Sequence, residues 1–576
     1  MGGGGRGACG RSDGRVSGGA LSPAARDAAL ARMAGERFDL AVIGGGITGL
    51  GIALDAASRG LSVALVEAND LAYGTSSRSS KLIHGGLRYL EMLDFALVRE
   101  ALSERRLLRT RIAPHLVRPV PFLFPITHRM WERPYLGSGL LLYDAMGGAR
   151  HLSRARHLSR RAALRAAPAL RPDSLVGAVR FHDCQEDDAL FAAYVARTAA
   201  AQGAAIATHT RATGFLRDES GRVDGLLLRG EGSGELVLRA RHVICAAGVA
   251  TDRVLELATG TPSRALRPSK GVHLLVPRAR IAMRDGLFMR TEKSIFHAIP
   301  WGSDHWLLGD TDTEWSGAPD EVVASGADAE YVLSKVNSVL RDPIALSDVC
   351  GVFAGLRPLV AATGGGDTTR MSRKHRMFSP LPGMTAIAGG KYTTYRLMAR
   401  DAVDAAAHEL GGSVPASRTH ELPLVGAEGE AALMLDPRSG VGRAQLELLL
   451  SRHGACADEV AAQAIADPRL ASPIAGADRY LRAEAVHAVT HQGALDLDDV
   501  LARRMRISIE LPDRGRAAAA DVAPLIAPLL GWSDDRTVDE VARYVRLRDA
   551  EAAALEARSD ADAVARYRAV LAVGTP

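Results

Sequence analysis

The chain has 576 residues, of which 47% are hydrophobic and 24% are charged, and its formal net charge at pH 7 is +5. These values are typical of a globular protein with two or three domains, and the lack of a long basic stripe argues against a nucleic-acid binder. The five cysteines are scattered and no apolar run approaches the roughly 18 residues of a membrane span. We therefore expect a reducing cytosol, no metal or disulfide framework and no transmembrane helix.

The predicted elements change in character along the chain. Residues 1–36 begin with a Gly-rich basic tail without a signal-peptide layout, which we expect to be disordered and to lead into a weak helix over 22–35. Residues 37–68 predict a strand, a glycine turn, a helix and a second strand, which together make a βαβ unit. The segment from about 91 to 175 is predicted to be mainly helical with a Pro-rich break, and the chain beyond about 425 is Ala- and Leu-rich with helical periods. Further strands are predicted near 241–248, 271–277, 305–312 and 383–390.

A glycine motif, GGGITG, lies between the first predicted strand and the first helix of the βαβ unit. It places Gly44, Gly46 and Gly49 in a G-x-G-x-x-G pattern. The first glycine allows a tight turn, the second lets the backbone approach a pyrophosphate at the helix N-terminus, and the third lets helix and strand pack closely. Glu67 ends the second strand, where a carboxylate can accept hydrogen bonds from a ribose. This context predicts a dinucleotide site in preference to a merely structural glycine turn.

The segment TSSRSSKLIHGGLRYLE, residues 75–91, is too polar for a core element and too rich in special residues for an idle surface loop. Its hydroxyl groups could bind a cofactor diphosphate or a flavin edge, or they could cap a solvated loop, and both interpretations stay open. These hydroxyl residues are Thr75, Ser76, Ser77, Ser79 and Ser80.

Residues 43–91 closely resemble the FAD-dependent glycerol-3-phosphate dehydrogenases of the bacterial aerobic and mitochondrial type. The resemblance extends over about 37–550, and the pair SSKLIHGGLRYLE and GGKYTTYR is far more specific than the glycine motif. The other stretches that resemble the family are DCQEDDAL (183–190), KGVHLLVP (270–277), GDTDTEWSGAP (309–319), GLRPL (355–359), AGGKYTTYRLMARDAVD (388–404) and YLRAEAVHAVTHQGALDLDDVLARRMRISIE (480–510).

The resemblance implies oxidation of sn-glycerol 3-phosphate to dihydroxyacetone phosphate by hydride transfer to FAD. Arg88 and Arg357 match family arginines at the substrate, and a guanidinium suits a phosphate, although surface charge is the alternative for each. Lys391 matches an active-site lysine, which we expect to stabilise the reduced flavin or the phosphate, with a simple helix cap as the alternative. His84 is the candidate general base, or a structural residue beside the flavin, and Tyr89 either binds substrate or packs.

The same reasoning predicts the cofactor-binding residues. FAD is expected along the glycine turn, with its ribose at Glu67 and its ring near the 76–86 loop and the 389–393 turn. Ala247 departs from the family, whose members commonly have threonine there, but the backbone turn at Gly248 can survive this change. The predicted set is Gly44, Gly45, Gly46, Ile47, Thr48, Gly49, Glu67, Ala68, Ser76, Ser77, Ser80, Leu82, Gly86, Gly248, Gly390, Lys391 and Thr393.

The expected fold is α/β (α+β), in three parts. A Rossmann-like FAD-binding domain is predicted over 37–410, and a substrate domain with a mixed or antiparallel sheet is inserted in it at about 110–175 and 265–350. A boundary near 410–425 then leads to a C-terminal helical domain over 425–576.

The resemblance also implies partners and a location. Electrons are expected to pass to a membrane quinone, from a cytoplasmic protein associated peripherally with the inner face of the cell membrane. The sequence leaves the oligomeric state open, with a homodimer as one candidate. The alternatives are an FAD-dependent glycerol-3-phosphate oxidase using oxygen, a D-amino-acid-oxidase-like flavoenzyme, and a nonenzymatic flavin- or nucleotide-sensing protein.

Overall fold

The computed structural model describes residues 18–86, 94–127, 132–148, 152–230, 234–291, 295–361, 374–428 and 436–573. The strands are β1 Arg37–Ile43, β2 Val63–Val66, β3 Leu82–Ile83, β4 Arg118–Ile126, β5 Arg156–Ser159, β6 Gly177–Gln185, β7 Ala205–Ala207, β8 Thr210–Arg217, β9 Val223–Gly230, β10 Glu235–Cys245, β11 Ser269–Pro277, β12 Gly286–Arg290, β13 Ile295–Trp301, β14 His305–Gly309, β15 Thr313–Glu314, β16 Gly351–Arg357, β17 Arg376–Leu381, β18 Met384–Ala388, β19 Pro473–Ile474 and β20 Ala477–Leu481. The helices are α1 Pro23–Gly35, α2 Ile47–Ser58, α3 Phe95–Leu107, α4 Glu132–Tyr143, α5 Arg160–Ala166, α6 Asp188–Ala201, α7 Thr251–Thr259, α8 Gly326–Asn337, α9 Tyr395–Leu410, α10 Arg443–His453, α11 Ala457–Ala466, α12 Arg482–Gln492, α13 Ile507–Glu510, α14 Arg516–Leu530, α15 Asp534–Ala554 and α16 Asp560–Ala572.

The first sheet has eight described strands and a parallel centre. Its order is β17–β18–β10–β1–β2–β7, and β9 and β8 extend it as an antiparallel pair from β10. Strand β2 is buried along its whole length and β1 along most of it, and α2 packs against β1, β2, α6 and α9. Parallel strands covered by helices read as continuous apolar runs, which is why the sequence predicted the βαβ unit correctly.

The second sheet has ten described strands and is mainly antiparallel. Its order is β15–β11–β14–β13–β12–β4–β6–β3, with β16 on β11 and β5 on β6, and only β12 and β4 run parallel. The strands come from separate stretches of the chain, and they include β6 and β16, which lie just beyond the predicted limits 110–175 and 265–350 of the inserted domain. Those limits stay a prediction.

The predicted Pro-rich break in the segment between 91 and 175 is present, and it contains a strand that the sequence did not predict. Residues 118–126 form β4, which pairs with β6 over all nine positions but with β12 only at Phe122 and Leu123. Three prolines, Pro119, Pro121 and Pro125, lie an even number of positions apart, so their missing N–H groups fall on one edge of the strand. The other edge keeps its donors and can pair fully.

The described part of the chain after residue 436 is mostly helical, with one small hairpin of β19 and β20. It contacts the first sheet's connections through buried arginines. Arg503 Nε lies 2.5 Å from Asp70 Oδ2, and Arg504 Nη2 lies 2.7 Å from Asp70 Oδ1. Burial alone would raise the pKa of Asp70, but Arg504 and Arg503 together hold this pKa below its usual value. Asp70 therefore stays ionised and ties the C-terminal region to the segment that follows β2.

His209 also contacts the C-terminal region, through Asp499, and this contact leads to a prediction about the pH dependence of stability. Burial would lower the pKa of His209, but the hydrogen bond of Nε2 to Asp499 at 3.1 Å, helped by Asp496 and Asp70, raises it to about 9. The folded-state pKa of His209 thus lies above the usual 6.5 of the unfolded chain. The bound proton therefore stabilises the fold fully below about pH 6.5. This stabilisation is lost as the pH rises through about 9.

We expect His209→Gln to remove about 2 kcal/mol of stability at pH 6 and almost none at pH 10. The difference in thermal midpoint between the wild type and His209→Gln, measured across this pH range, checks this. A constant difference at every pH would contradict the assigned role of the proton.

Over the described ranges, we find no helix that combines the length and the apolar character needed to cross a bilayer.

Candidate active site

A cavity of about 390 Å³ opens where the two sheets meet, and it contains most of the residues singled out in the sequence. The predicted residues that line it are Gly44, Gly46, Ile47, Thr48, Glu67, Ser76, Ser80, Leu82, His84, Gly86, Gly248, Arg357, Gly390, Lys391 and Thr393. Gly45, Gly49, Ala68 and Ser77 do not line it, and Arg88 and Tyr89 lie outside the described residues.

The glycine turn between β1 and α2 has the geometry that the motif predicts. Gly44 has a φ of +116°, and a Cβ there would lie 2.6 Å from the carbonyl oxygen of Ala246. A Cβ on Gly49 would lie 1.9 Å from the carbonyl oxygen of Gly44, so α2 begins directly against the turn. The N-terminus of α2, at Ile47, faces the cavity, where it favours a bound anion. Gly49 thus acts through packing, which explains its absence from the cavity wall.

Glu67 lies at the end of β2 and holds the same turn. Its Oε2 accepts a hydrogen bond from Gly45 N at 2.6 Å, and its Oε1 accepts one from Asn69 N at 2.9 Å. Burial raises the pKa of Glu67 against the effect of these two hydrogen bonds. The carboxylate is therefore fixed at the cavity wall with its backbone partners, where a ribose hydroxyl can reach it.

The hydroxyl residues 75–80, which we call the serine loop, mostly bind other parts of the protein. Ser76 Oγ accepts from Ile47 N at 3.0 Å, Thr75 Oγ1 donates to Leu356 O at 2.6 Å, and Ser80 Oγ lies 3.0 Å from His273 Nε2. Thr75, Ser76, Ser79 and Ser80 line the cavity while bonded to protein partners, so cofactor binding by this loop stays a prediction.

Ser77 lies behind the cavity wall, in a buried ionic network that the sequence did not predict. Its carbonyl accepts hydrogen bonds from Lys81 Nζ at 3.1 Å and from Arg506 Nη1 at 3.2 Å. Asp188 accepts from Lys81 Nζ at 2.7 Å, from Ser79 Oγ at 2.6 Å and from Arg506. Lys81, Asp188 and Arg506 lie in three different stretches that resemble the family. The sequence analysis assigned no role to any of these three residues.

Arg357 also lines the cavity, and it is the last residue of β16. Its guanidinium donates to the Asp310 carboxylate and to Thr311 O at 3.0 Å, and Nη1 lies 3.4 Å from Ser269 Oγ. A Cβ on Gly271, on the neighbouring strand β11, would lie 2.6 Å from Arg357 Nη2. The glycine in KGVHLLVP therefore leaves room for this guanidinium.

The GGKYTT turn and the SSKLIHGG segment meet at His84. Gly389 and Gly390 have φ values of +77° and +86°, and Lys391 precedes the short turn Tyr392–Thr394 that leads into α9. His84 N donates to Thr393 Oγ1 at 3.3 Å. The two most specific motifs of the sequence are thus in direct contact.

Two histidines on the cavity wall were missed by sequence reasoning. His273 lies on β11 and His297 on β13, and both line the cavity together with Asp310 and Arg357. Burial lowers the pKa of each to about 4, with Arg357 acting in the same direction, although Asp310 opposes the shift. Both are neutral at pH 7. His273 lies inside the stretch KGVHLLVP, which resembles the family. His297 lies in an apolar strand whose sequence gives no indication of a functional role.

The chain matches two family models. Residues 39–396 match a model described as FAD dependent oxidoreductase, and residues 417–537 match one described as C-terminal domain of alpha-glycerophosphate oxidase. A Mycobacterium bovis protein named glycerol-3-phosphate dehydrogenase 2 is 48% identical over 538 residues, which cover 92% of each chain. The chain belongs to the FAD-dependent glycerol-3-phosphate dehydrogenase family.

Further members of the family support this. A Caenorhabditis elegans protein named as a probable mitochondrial glycerol-3-phosphate dehydrogenase is 35% identical, covering 87% of this chain and 71% of its own length. The X-ray structure of the glycerol-3-phosphate dehydrogenase from Bacillus halodurans complexed with FAD is 27% identical, with a TM-score of 0.73, and covers 91% of this chain and 96% of that one. The predicted family, fold class and cofactor are thereby confirmed.

The cavity fits FAD, the cofactor of this family. No Cβ fits at Gly44, where it would overlap the backbone of Ala246, and the N-terminus of α2 and Glu67 offer partners for a diphosphate and a ribose at the cavity wall. Gly248, with a φ of +54°, keeps the second turn in spite of Ala247.

We expect Gly49→Ala to lower the flavin bound per protein by more than about tenfold, because its Cβ would overlap a backbone oxygen that cannot move aside. The measurement is flavin absorbance relative to protein after purification. Gly35→Ala is the control, since a Cβ there meets nothing within 4 Å, and it should keep full flavin content. Equal flavin content in both variants would contradict the packing role.

Proposed function

We propose that the chain oxidises sn-glycerol 3-phosphate at its secondary alcohol to dihydroxyacetone phosphate. Bound FAD supplies the acceptor for the hydride that leaves the carbinol carbon, while the hydroxyl proton passes to a base on the protein. The observation that supports this most is the position of Arg357 and Lys391 on the wall of the cavity that begins at the glycine turn. Fixed positive charge beside a flavin site suits a phosphorylated alcohol.

Arg357 is proposed to bind the substrate phosphate. A guanidinium has five N–H donors, so Arg357 can hold Asp310 and a phosphate at the same time. Asp310 and Thr311 O fix the direction of the guanidinium, and the side chain is 20% exposed, toward the cavity that it lines. A preorganised, partly buried cation binds a dianion more strongly than a mobile surface arginine does.

Lys391 is proposed to stabilise negative charge, either on the reduced flavin or on the phosphate. Its Nζ is buried. Its backbone lies between the glycine pair Gly389–Gly390 and the Tyr392–Thr394 turn. An ammonium group at this position combines with the nearby N-terminal turn to give a positive field over the cavity.

His84 is the proposed general base. Its backbone N–H donates to Thr393 Oγ1, and the residue lines the same cavity as Lys391 and Arg357. His273 and His297 are weaker candidates, because a group whose pKa is about 4 accepts a proton with difficulty near neutral pH. These two are better suited to accept or donate hydrogen bonds as neutral rings.

We expect His84→Gln to slow anaerobic flavin reduction by glycerol 3-phosphate by about 100-fold near pH 7, because general-base assistance is lost. His297→Gln, on the same cavity wall, should slow it by less than about tenfold. Stopped-flow recording of flavin bleaching measures both. Equal slowing of the two variants would reassign the base.

Arg88 and Tyr89 are proposed as further substrate contacts. This proposal is based on the match of SSKLIHGGLRYLE to the family, since both residues lie outside the described part of the chain. Replacement of Arg88 by glutamine in the FAD-loaded protein, followed by titration with glycerol 3-phosphate, tests it.

The deciding experiment for the function is anaerobic reduction of the bound flavin. Millimolar glycerol 3-phosphate should bleach the flavin, whereas glycine and D-alanine should not. A flavin that stays oxidised with glycerol 3-phosphate would reject the proposed function, and bleaching by the amino acids would favour a D-amino-acid-oxidase-like enzyme.

The proposed electron acceptor is a membrane quinone, with the chain bound peripherally at the cytoplasmic face of the cell membrane, and a homodimer is one candidate for its assembly. Reoxidation of the reduced enzyme by a short-chain quinone should be much faster than by oxygen. The reverse order would make the chain a glycerol-3-phosphate oxidase. Flotation with vesicles and light scattering test the membrane association and the assembly.

A further inference from the structure

A second, smaller recess lies behind the serine loop, and we call it the junction recess. It has a volume of about 80 Å³ and is lined by three parts of the fold. Ser77 and Arg78 of the serine loop form one side, residues 322–324 and 352–354 next to the second sheet form another, and the C-terminal region forms the third. The C-terminal residues that matter here are Asp498, Arg503, Arg506, Arg514, Arg548 and Glu551.

Positive charge dominates the lining of the junction recess. Five arginines face two carboxylates, Asp498 and Glu551. Three of the arginines have close acidic partners: Arg503 lies 2.6 Å from Asp498, Arg506 lies 2.7 Å from Asp187, and Arg548 lies 2.7 Å from Asp498.

Two arginines of the recess, Arg78 and Arg514, are poorly compensated. Arg78 donates to Ala354 O at 3.3 Å and packs over the Tyr73 ring, and among the described residues it has no carboxylate within 4 Å. Arg514 has Glu551 at 3.6 Å as its nearest carboxylate, without a hydrogen bond to it among the described residues, although its side chain is only 13% exposed. Burial lowers the pKa of Arg514, and Arg548 and Arg516 add to this, so its charge is held at a cost. A bound anion would remove that cost.

We propose that the junction recess binds a small phosphate-type dianion, held by Arg78 and Arg514. The volume excludes a nucleotide or a second flavin, since sites for such ligands are several hundred cubic ångströms in size. Apolar residues, Val322, Val352 and Leu555, line the rest of this small recess, so the body of the ligand is short. Inorganic phosphate and a short phosphate monoester share the chemistry that this site recognises.

The recess is connected to the cofactor cavity through the serine loop. Arg78 lines both spaces, and Ser77, whose carbonyl binds Arg506, belongs to the recess while Ser76 faces the cofactor cavity. An anion in the recess therefore contacts the back of the segment whose front forms the flavin site. Its binding should alter the flavin absorbance spectrum slightly, even though the ligand does not touch the flavin.

The test separates this site from the substrate phosphate site by using the FAD-loaded Arg357→Gln protein as the background. Inorganic phosphate and glycerol 2-phosphate are titrated separately by calorimetry at constant ionic strength. We expect at least one of them to bind with one-to-one stoichiometry, and added Arg514→Gln to weaken that binding at least tenfold. Added Arg516→Gln changes a neighbouring arginine that is paired with Asp549 and does not line the recess, and it should not weaken binding.

Each outcome decides the proposal independently of the glycerol 3-phosphate activity. If an anion binds the background protein and Arg514→Gln weakens that binding, the site is supported. The anion that shows this behaviour tells whether the site takes inorganic phosphate or a phosphate monoester. Binding that is equal in the Arg514→Gln and Arg516→Gln backgrounds, or absent for both anions up to millimolar concentration, overturns it. Arg78→Gln provides the same comparison if the Arg514→Gln protein does not fold.

Discussion

Arg357→Gln is expected to lower kcat/KM for glycerol 3-phosphate by about 1,000-fold, which corresponds to about 4 kcal/mol. The reason is that glutamine keeps a side chain of similar length but loses the charge that faces the phosphate, and it leaves the Asp310 carboxylate without its main cation. Truncation of one partner in a buried charged pair costs several kilocalories per mole. Steady-state kinetics with a quinone analogue measure the change.

The control for Arg357 is Arg239→Gln. Arg239 is 60% exposed and pairs with Asp224 on the surface at 3.1 Å, so its loss should change kcat/KM by less than about twofold. Bound FAD should stay near one per chain in both variants, because neither side chain holds the glycine turn. A fall in kcat/KM of less than about tenfold for Arg357→Gln would show that the phosphate binds elsewhere.

Asp188→Asn is expected to lower the free energy of unfolding by about 3–5 kcal/mol and to reduce the flavin content of the purified protein. The Asp188 side chain is fully buried, and it faces the ammonium of Lys81 and the guanidinium of Arg506, which are 1% and 4% exposed. Asparagine would leave both cations buried without their shared counter-charge. The serine loop would loosen as a result, since Ser79 also depends on this carboxylate.

Asp187→Asn is the matched control for Asp188. Asp187 also accepts hydrogen bonds from Arg506, but its side chain is 21% exposed, so water can replace part of the lost interaction. We expect a loss of about 1 kcal/mol and normal flavin content. Thermal unfolding and flavin absorbance, measured on both variants, check the pair. Equal effects would show that burial of the carboxylate does not matter.

Those parts of the fold with strong local patterns could be predicted from the sequence. The βαβ unit at 37–66 could be predicted because buried parallel strands and a glycine turn leave a direct record in residue type. Strand β4 could not, since prolines at 119, 121 and 125 usually argue against a strand, and only the pairing partner shows that one edge stays intact. The sheet order also depends on distant pairings, such as β11 with β16, that no local window contains.

The site shows the same division between local and distant information. The glycine turn and the segment around His84 were found because each is a short motif with a specific composition. His297 was not found, and Asp310 lay in a noted stretch without an assigned role, because their contacts with Arg357 join parts of the chain that are far apart in sequence. The network of Lys81, Asp188 and Arg506 spans more than 400 residues of chain, and no spacing rule could connect its members.

The buried contacts of Arg503, Arg504 and Arg506 with Asp70, Asp187 and Asp188 have a consequence for protein engineering. A chimera that joins residues 18–410 of this chain to the helical module of a relative would inherit these six positions from two parents. Such a hybrid keeps its flavin site only if the buried carboxylates Asp70 and Asp188 still meet their arginines, so a working exchange of modules has to move these acidic and basic positions as one set.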